Sequence, residues 1–178
     1  NDLIHTGGRW LVRIVVLLAL TLWTASFFAG ALRDIQRPVG YLVSAVILTI
    51  GITGLLKLLT NIDCPWDLSE FGGRRPYVGL LSGRPDGLAA GHCFPAAHAS
   101  SGYAFMALYF LAYERSRTLA RVGLAVGLCL GAIFGLAQQS RGAHFASHDL
   151  WSAFLGWMIP LTLYAFAFGG RLYAGSQR

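Results

Sequence analysis

The sequence predicts an all-α integral membrane protein, a bundle of transmembrane helices, and three observations support this prediction. Hydrophobic residues make up 55% of the 178 residues. Only 12% of the residues are charged, whereas a soluble domain usually carries about a quarter. The apolar residues are also collected into runs long enough to cross a hydrocarbon core of about 30 Å. We therefore expect one membrane domain over residues 1–178.

Five apolar segments pass this length test and are predicted to be transmembrane helices. They cover residues 10–32, 41–60, 95–113, 119–137 and 148–168. Pro95 suits the first turn of the third helix, because its missing N–H would have no partner there anyway. Ser147 is expected to cap the fifth helix. The glycine-containing segments 51–54 and 131–135 are predicted to allow close contacts between helices.

Arginine-rich segments predict which end of the bundle faces the cytoplasm. Two short linkers and the C-terminal stretch carry arginines on one side, which the positive-inside rule assigns to the cytoplasm. They are residues 33–38, 114–121 and 169–178. The outside then receives residues 1–9, 61–94 and 138–147. Because this puts Asn1 outside, an odd number of helices, one in the simplest case, is expected before it, giving six helices natively.

The outer linker, residues 61–94, is too long for a passive turn, because loops above about 15 residues are usually functional or disordered. Its glycines and prolines argue against a long helix. Trp66, Phe71 and Tyr77 are expected to anchor it at the level of the lipid headgroups.

The predicted topology gathers polar residues with chemical potential on the outer face. They are Lys57, His92, His98, Arg141, His144, His148 and Asp149. A lysine, an arginine and several histidines beside two helix N-termini favour an anion such as phosphate. Hydrolysis of a phosphate ester needs a nucleophile, an acid for the leaving oxygen and positive groups around the phosphate. Histidine can fill the first two roles because its pKa lies near the working pH.

The order and spacing of these residues, over residues 57–156, resemble the motifs of the type 2 phosphatidic acid phosphatase superfamily. The first motif of that family is a lysine, six residues and then Arg-Pro. Here Lys57 is followed by Cys64 and Pro65 at those positions. The second motif is Pro-Ser-Gly-His, and the corresponding segment 95–98 keeps the proline and the histidine.

The third motif is Ser-Arg, five residues, a histidine, three residues and an aspartate. His144 fits the histidine, whereas Gln138 stands at the arginine position and His148 at the aspartate position. The resemblance implies that His144 is the nucleophile that forms a phosphohistidine and that His98 is the acid for the leaving alcohol. Lys57 would bind phosphate oxygens, together with backbone N–H groups at Ala97.

The departures from the motifs leave two assignments open. The group that orients His144 is either His148 or Asp149. His148 lies four residues further on, and so on the same face if the segment is helical, whereas Asp149 has the carboxylate that suits holding an imidazole tautomer. The missing motif arginines also need replacements. The candidates are Arg141, three residues beyond the expected position, and Arg74 or Arg75 of the outer linker.

Two cysteines bracket the outer linker, Cys64 at the first motif and Cys93 just before the second. If the outer side is an oxidising periplasm, they can form a disulfide. The alternative is two free thiols at the interface. Cys129 lies within the fourth span and is expected to be inert.

The leading functional hypothesis is a metal-independent lipid phosphatase, with no cofactor, on the outer side of a bacterial-type inner membrane. Its partners would be a lipid phosphate or lipid diphosphate substrate and the membrane lipids. No nucleic-acid partner is expected, because the arginines are scattered between apolar spans and form no single stripe. The alternatives are a phosphotransferase between lipids, a non-catalytic protein that binds lipid phosphates, and a haem or metal-binding membrane protein. The sequence leaves the substrate and the oligomeric state open.

Overall fold

The computed structural model describes residues 2–169 and 171–173, and it confirms the predicted all-α membrane bundle. The described residues form six α-helices. They are α1 (Asp2–Ala25), α2 (Arg33–Leu59), α3 (Ala97–Tyr103), α4 (Ala107–Tyr113), α5 (Arg117–Gln139) and α6 (Ala146–Thr162). A π-helical segment, Leu163–Ala167, continues α6. Within the described residues no β-strand occurs, only an isolated bridge between Leu68 and Arg75.

Each of the five predicted spans corresponds to a helical rod. Within the part of the chain that the structure describes, four rods are long and apolar enough to cross a membrane. They are Thr6–Ala25, Gly30–Leu59, Arg117–Gln139 and Ala146–Ala167. The fifth rod consists of α3 and α4, which a 3-10 turn joins into seventeen helical residues. At 1.5 Å per residue this rod is about 25 Å long. It is the central rod, because the longer helices surround it and Ala99, Ala104 and Ala107 are fully buried.

The helix ends differ from the predicted span boundaries. α1 already begins at Asp2, and α2 begins at Arg33, so the predicted linker 33–38 forms the first turns of α2. Hydropathy reports which residues lie in the hydrocarbon, whereas a helix can continue beyond it because its backbone groups still bond internally. Asn1 and, in the predicted cytoplasmic stretch, residues 170 and 174–178 lie outside the described residues.

The predicted starts of the third and fifth helices are wrong. Pro95 follows Phe94 through a cis peptide bond and lies two residues before Ala97, the first residue of α3. The cap position of α6 is occupied by Phe145, which has the extended backbone of a cap residue but makes no side-chain cap hydrogen bond. Ser147 is therefore already helical, and its hydroxyl is not at the position from which a cap acts.

Glycines let α5 approach the central rod closely. A Cβ atom added at Gly102 of α3 would lie 2.5 Å from the backbone nitrogen of Gly131 in α5. No side chain fits between the two backbones, so the predicted contact segment 131–135 does lie at a helix contact. The same prediction is wrong for the segment 51–54, because both Gly51 and Gly54 face open space.

Candidate active site

Two histidines form the centre of the candidate site. His144 lies in the loop between α5 and α6, and His148 is the third residue of α6. Their Nδ1 atoms are 3.3 Å apart, which is within hydrogen-bond distance. Both residues are buried, with 8% of His144 and 3% of His148 exposed. Only His148 is helical, and His144 precedes the extended Phe145, so this contact joins the α5–α6 loop to the first turn of α6.

His98 reaches the same region from the start of the central rod. It is the second residue of α3 and is half-buried, and its ring stacks on Phe134 of α5 with the ring centroids 4.9 Å apart. The start of α3 is held against α6, because the Ser152 hydroxyl lies 3.0 Å from the carbonyl oxygen of Ala96. The Ala96 N–H in turn donates to the carbonyl oxygen of His148. The elements that carry His98 and His148 are therefore tied to one another.

The electrostatics of His144 show which charges surround it. The pKa of His144 is lowered from 6.5 to about 3, and burial is the largest cause. The next causes, in order of size, are the positive charge of Lys57, the imidazole of His148 and, smaller, that of His98. A hydrogen bond to the backbone of Cys93 acts in the opposite direction. His144 is therefore a neutral imidazole at physiological pH, within electrostatic range of all three predicted partners.

Asp149 points away from His144. Its Oδ2 atom accepts a hydrogen bond from the Gln139 side chain at the end of α5. Gly135 makes room for this carboxylate, since a Cβ atom there would lie 2.5 Å from Oδ2. Of the two residues considered for orienting His144, His148 is thus the one in contact with it, and Asp149 joins α6 to α5.

One of the arginines predicted to replace the motif arginines, Arg75, is held by an acidic residue of the outer linker. Arg75 bonds Oδ1 of the buried Asp63 at 2.5 Å, and Arg84 bonds the same oxygen at 2.9 Å. Arg74 and Arg141 are exposed. The cluster of Asp63, Arg75 and Arg84, here called the linker clasp, was missed by the sequence reasoning. The one feature of the sequence that could have indicated this cluster is Asp63, an acidic residue next to Cys64-Pro65. Its distance along the sequence from Arg84 follows no helix or strand period.

The pKa of Asp63 reflects this clasp. Burial alone would raise the pKa of the carboxyl group, but hydrogen bonds and charges from Arg84 and Arg75 outweigh burial. The pKa of Asp63 is therefore below its ordinary value of 3.8. The carboxylate is the stabilised form, so the clasp is intact at neutral pH.

A disulfide and several backbone hydrogen bonds hold the outer linker over the site. Cys64 is joined to Cys93. The Cys93 N–H donates to the carbonyl oxygen of Ile62, and the Trp66 N–H donates to that of Gly142 in the α5–α6 loop, each at 2.9 Å. The Cys93 sulfur lies 3.5 Å from Nδ1 of His144. The closed linker thus forms one wall of the histidine cluster.

A model of the PAP2 superfamily matches residues 38–171, three quarters of the chain. The chain belongs to the PAP2 superfamily. The searches of curated proteins and of solved structures found no match. Membership of the PAP2 superfamily indicates phosphatase activity, and the long apolar helices indicate a multi-pass membrane protein.

The matched range contains all the candidate site residues, including the departures from the PAP2 motifs. Cys64 stands at the first motif arginine and is part of the disulfide. Gln138 stands at the third motif arginine and is buried at the end of α5, with 5% exposed. Ala97 is at the start of α3, beside His98. Both motif histidines are kept, whereas both motif arginines, the Ser-Gly pair of the second motif and the aspartate of the third motif are replaced.

Replacing Asp63 by asparagine is expected to loosen the linker clasp and to lower the free energy of unfolding by about 2 kcal/mol, the range for hydrogen bonds to charged groups. Because the pKa of Asp63 is lowered on folding, its contribution is present above the ordinary pKa and is lost as pH falls through the lowered pKa. Thermal unfolding in detergent at pH 7 and below pH 4 measures both effects. The exposed Asp86 of the same linker is the control position. An Asp86→Asn variant as unstable as Asp63→Asn would contradict the clasp.

Proposed function

We propose that this protein is a membrane lipid phosphatase that hydrolyses a lipid phosphate monoester or diphosphate at the outer face, without a metal, through a phosphohistidine on His144. The observation that carries the proposal is the position of His144. It is a neutral buried imidazole with His148 in contact and with Lys57 and His98 in electrostatic range. Membership of the PAP2 superfamily supports the reaction class.

His144 acts as the nucleophile in this proposal. With its proton on Nδ1 and donated to Nδ1 of His148, the lone pair is on Nε2 and free to attack phosphorus. The N–P bond forms as the bond between phosphorus and the leaving oxygen breaks. The positive charge that develops on the ring is stabilised through the hydrogen bond to His148, which takes the role of the carboxylate in the PAP2 motif.

His98 and Lys57 complete the reaction. His98 gives its proton to the leaving oxygen, which departs as the lipid alcohol, or as a lipid monophosphate when the substrate is a diphosphate. His98 then takes a proton from a water molecule, whose oxygen attacks phosphorus and releases inorganic phosphate from His144. The ammonium group of Lys57 and the backbone N–H groups at Ala97 bind the phosphate oxygens as negative charge spreads over them.

An apolar surface beside the site supports a lipid substrate. A shallow cavity of about 250 Å³ is lined by Leu150, Trp151 and Phe154 of α6. Phe94 connects it to the histidines, since its ring centroid lies 6.1 Å from that of Trp151 and 5.2 Å from that of His148. An acyl or prenyl chain in this cavity would leave its phosphate near the imidazoles.

A non-catalytic protein that binds lipid phosphates is the second candidate. Two observations favour this candidate. The partner of His144 is the imidazole of His148, whereas the PAP2 motif has a carboxylate there. Arg75 is also held by Asp63. Weaker stabilisation of the charged ring and fewer free cations would both slow the reaction. A phosphohistidine that hands its phosphate to a second lipid would instead make a phosphotransferase.

Phosphate release from a panel of lipid phosphates and diphosphates tests these functions. Purified protein in detergent with excess chelator is expected to release inorganic phosphate from at least one member of the panel. Lipid binding without release would support the non-catalytic candidate and contradict the proposal. Loss of release in the chelator, with recovery on adding a divalent metal, would contradict the metal-independent mechanism. Labelled phosphate that moves to an added lipid alcohol, with little free phosphate, would indicate phosphate transfer.

A further inference from the structure

Cys93, His144 and His148 form a compact set of potential metal ligands. The Cys93 sulfur and one ring nitrogen from each histidine all lie within 4.8 Å of one another, and all three residues are buried. In the oxidised protein the Cys93 sulfur is bonded to Cys64 and is no thiolate. Opening the disulfide would turn this sulfur into the softest ligand of the set.

We propose that reduction of the Cys64–Cys93 disulfide creates a zinc site from the Cys93 thiolate, His144 Nδ1 and His148 Nδ1. Zinc holds imidazole nitrogens at about 2.0–2.1 Å and thiolate sulfur at about 2.3 Å in a tetrahedral arrangement. Ligands at these lengths are separated by about 3.3 Å for two nitrogens and about 3.6 Å for nitrogen and sulfur. The observed separations are 3.3 Å between the two Nδ1 atoms and 3.5 Å between the Cys93 sulfur and His144 Nδ1. The Cys93 sulfur and a ring nitrogen of His148 lie within 4.8 Å of each other.

The exposure of the two cysteine residues directs the reduction. Cys93 is fully buried, whereas Cys64 is half-buried. A dithiol reductant can therefore reach the Cys64 sulfur, where its thiolate forms a mixed disulfide and Cys93 leaves as a thiolate. The second thiol of the reductant then releases Cys64 as a thiol and becomes the oxidised disulfide. The new Cys93 thiolate arises beside the two imidazoles.

Proton and charge requirements of the zinc site are met by these residues. The proton shared between the two Nδ1 atoms must move to an Nε2 atom, through water, so that both Nδ1 atoms present lone pairs to the metal. The negative charge of the Cys93 thiolate offsets the positive charge of Lys57, which acts on the same histidines. Water fills the fourth tetrahedral position, as in zinc sites with three protein ligands.

Zinc at this site would switch off the proposed phosphatase, a consequence that rests on the proposed function. With zinc on Nδ1, the proton of the His144 ring is on Nε2, so Nε2 has no lone pair with which to attack phosphorus. Zinc also removes His148 from its role as hydrogen-bond partner. The oxidised protein would therefore be the metal-independent enzyme, and the reduced protein would be inhibited by zinc.

Two cysteine variants distinguish zinc binding by the Cys93 thiolate from other effects of losing the disulfide. Cys64→Ser and Cys93→Ser both remove the disulfide, but only Cys64→Ser keeps the Cys93 ligand. Both are made with Cys129→Ala, which removes the exposed free thiol of α5. Zinc content after gel filtration and the absorption spectrum with Co²⁺ are measured in detergent without reductant. Circular dichroism of both variants confirms that the helices are retained.

The Cys64→Ser protein is expected to hold one zinc ion per chain and to show a thiolate-to-cobalt absorption band. The Cys93→Ser protein should bind zinc at least about tenfold more weakly. Loss of a residue that only hydrogen-bonds to a metal ligand already lowers metal affinity by about that factor, and Cys93 is a ligand itself. Wild-type protein should gain zinc only after a phosphine reductant is added. Equal zinc in the two variants, no zinc in either, or a cobalt complex without the thiolate band would overturn the proposal. Because zinc is measured directly, these results stand even if the protein releases no phosphate.

Discussion

Replacing His144 by alanine is expected to lower phosphate release by about 10⁴-fold or more, the size of loss seen when a catalytic nucleophile is removed. No other group of the cluster can take over, because His148 faces Nδ1 of His144 and His98 is required as the acid. Lipid binding should change little, since Lys57 and the backbone N–H groups at Ala97 remain. Initial rates of phosphate release and lipid binding in the same detergent measure both quantities.

The matched control is His92→Ala, because His92 is an exposed histidine of the same outer linker. That variant should release phosphate at the wild-type rate. The pH profile adds a second check, since His144 has a pKa lowered to about 3 and is neutral throughout the range from pH 5 to pH 8. Protonation of His144 should therefore not reduce the rate on going from pH 7 to pH 5. Equal rates for wild type and His144→Ala would refute the proposed nucleophile.

The helical rods could be predicted from the sequence because hydropathy and length decide where a chain can cross a hydrocarbon core. The residues at which the helices begin and end could not be predicted, because they depend on local backbone geometry. The extended backbone at Phe145 places the cap of α6 two residues before Ser147, the predicted cap. α3 begins at Ala97, after an extended Ala96, which no hydropathy pattern reports.

The partner of His144 shows how a small shift in helix position decides site chemistry. Neighbouring residues of an α-helix are about 100° apart around its axis. The position of α6 therefore determines whether residue 148 or residue 149 faces His144. With α6 as it stands, His148 meets His144 and Asp149 meets Gln139 of α5. The sequence predicts both residues as candidates, since motif position and helical spacing favour His148 and carboxylate chemistry favours Asp149.

The linker clasp could not be predicted from the sequence for a different reason. Asp63 and Arg84 are separated by twenty-one positions in irregular backbone, where no helical or strand period relates one side chain to another. Only the folded path of the outer linker, closed by Cys64 and Cys93, brings them together. The consequence is that Arg75, a candidate phosphate ligand by sequence, is used to hold the linker.

Replacing Gly102 by alanine is expected to lower the free energy of unfolding by about 3 kcal/mol or more, at the upper end of the cost of overpacking. The added Cβ would lie 2.5 Å from the backbone nitrogen of Gly131. Backbone cannot move aside as a flexible side chain can, so α3 and α5 must separate. His98 is four residues from Gly102 and stacks on Phe134 of α5, so phosphate release should fall as well. Thermal unfolding in detergent and the rate assay measure the two effects.

Gly54→Ala provides the control, because it is the same substitution in a membrane helix where a Cβ atom meets nothing within 4 Å. Alanine is the better helix former by about 1 kcal/mol, so this variant should unfold at the same or a slightly higher temperature than wild type. If Gly102→Ala were as stable as Gly54→Ala, the close contact between α3 and α5 would be wrong. The stacking of His98 on Phe134 of α5 would then lose its structural basis, because it depends on the close approach of α3 and α5.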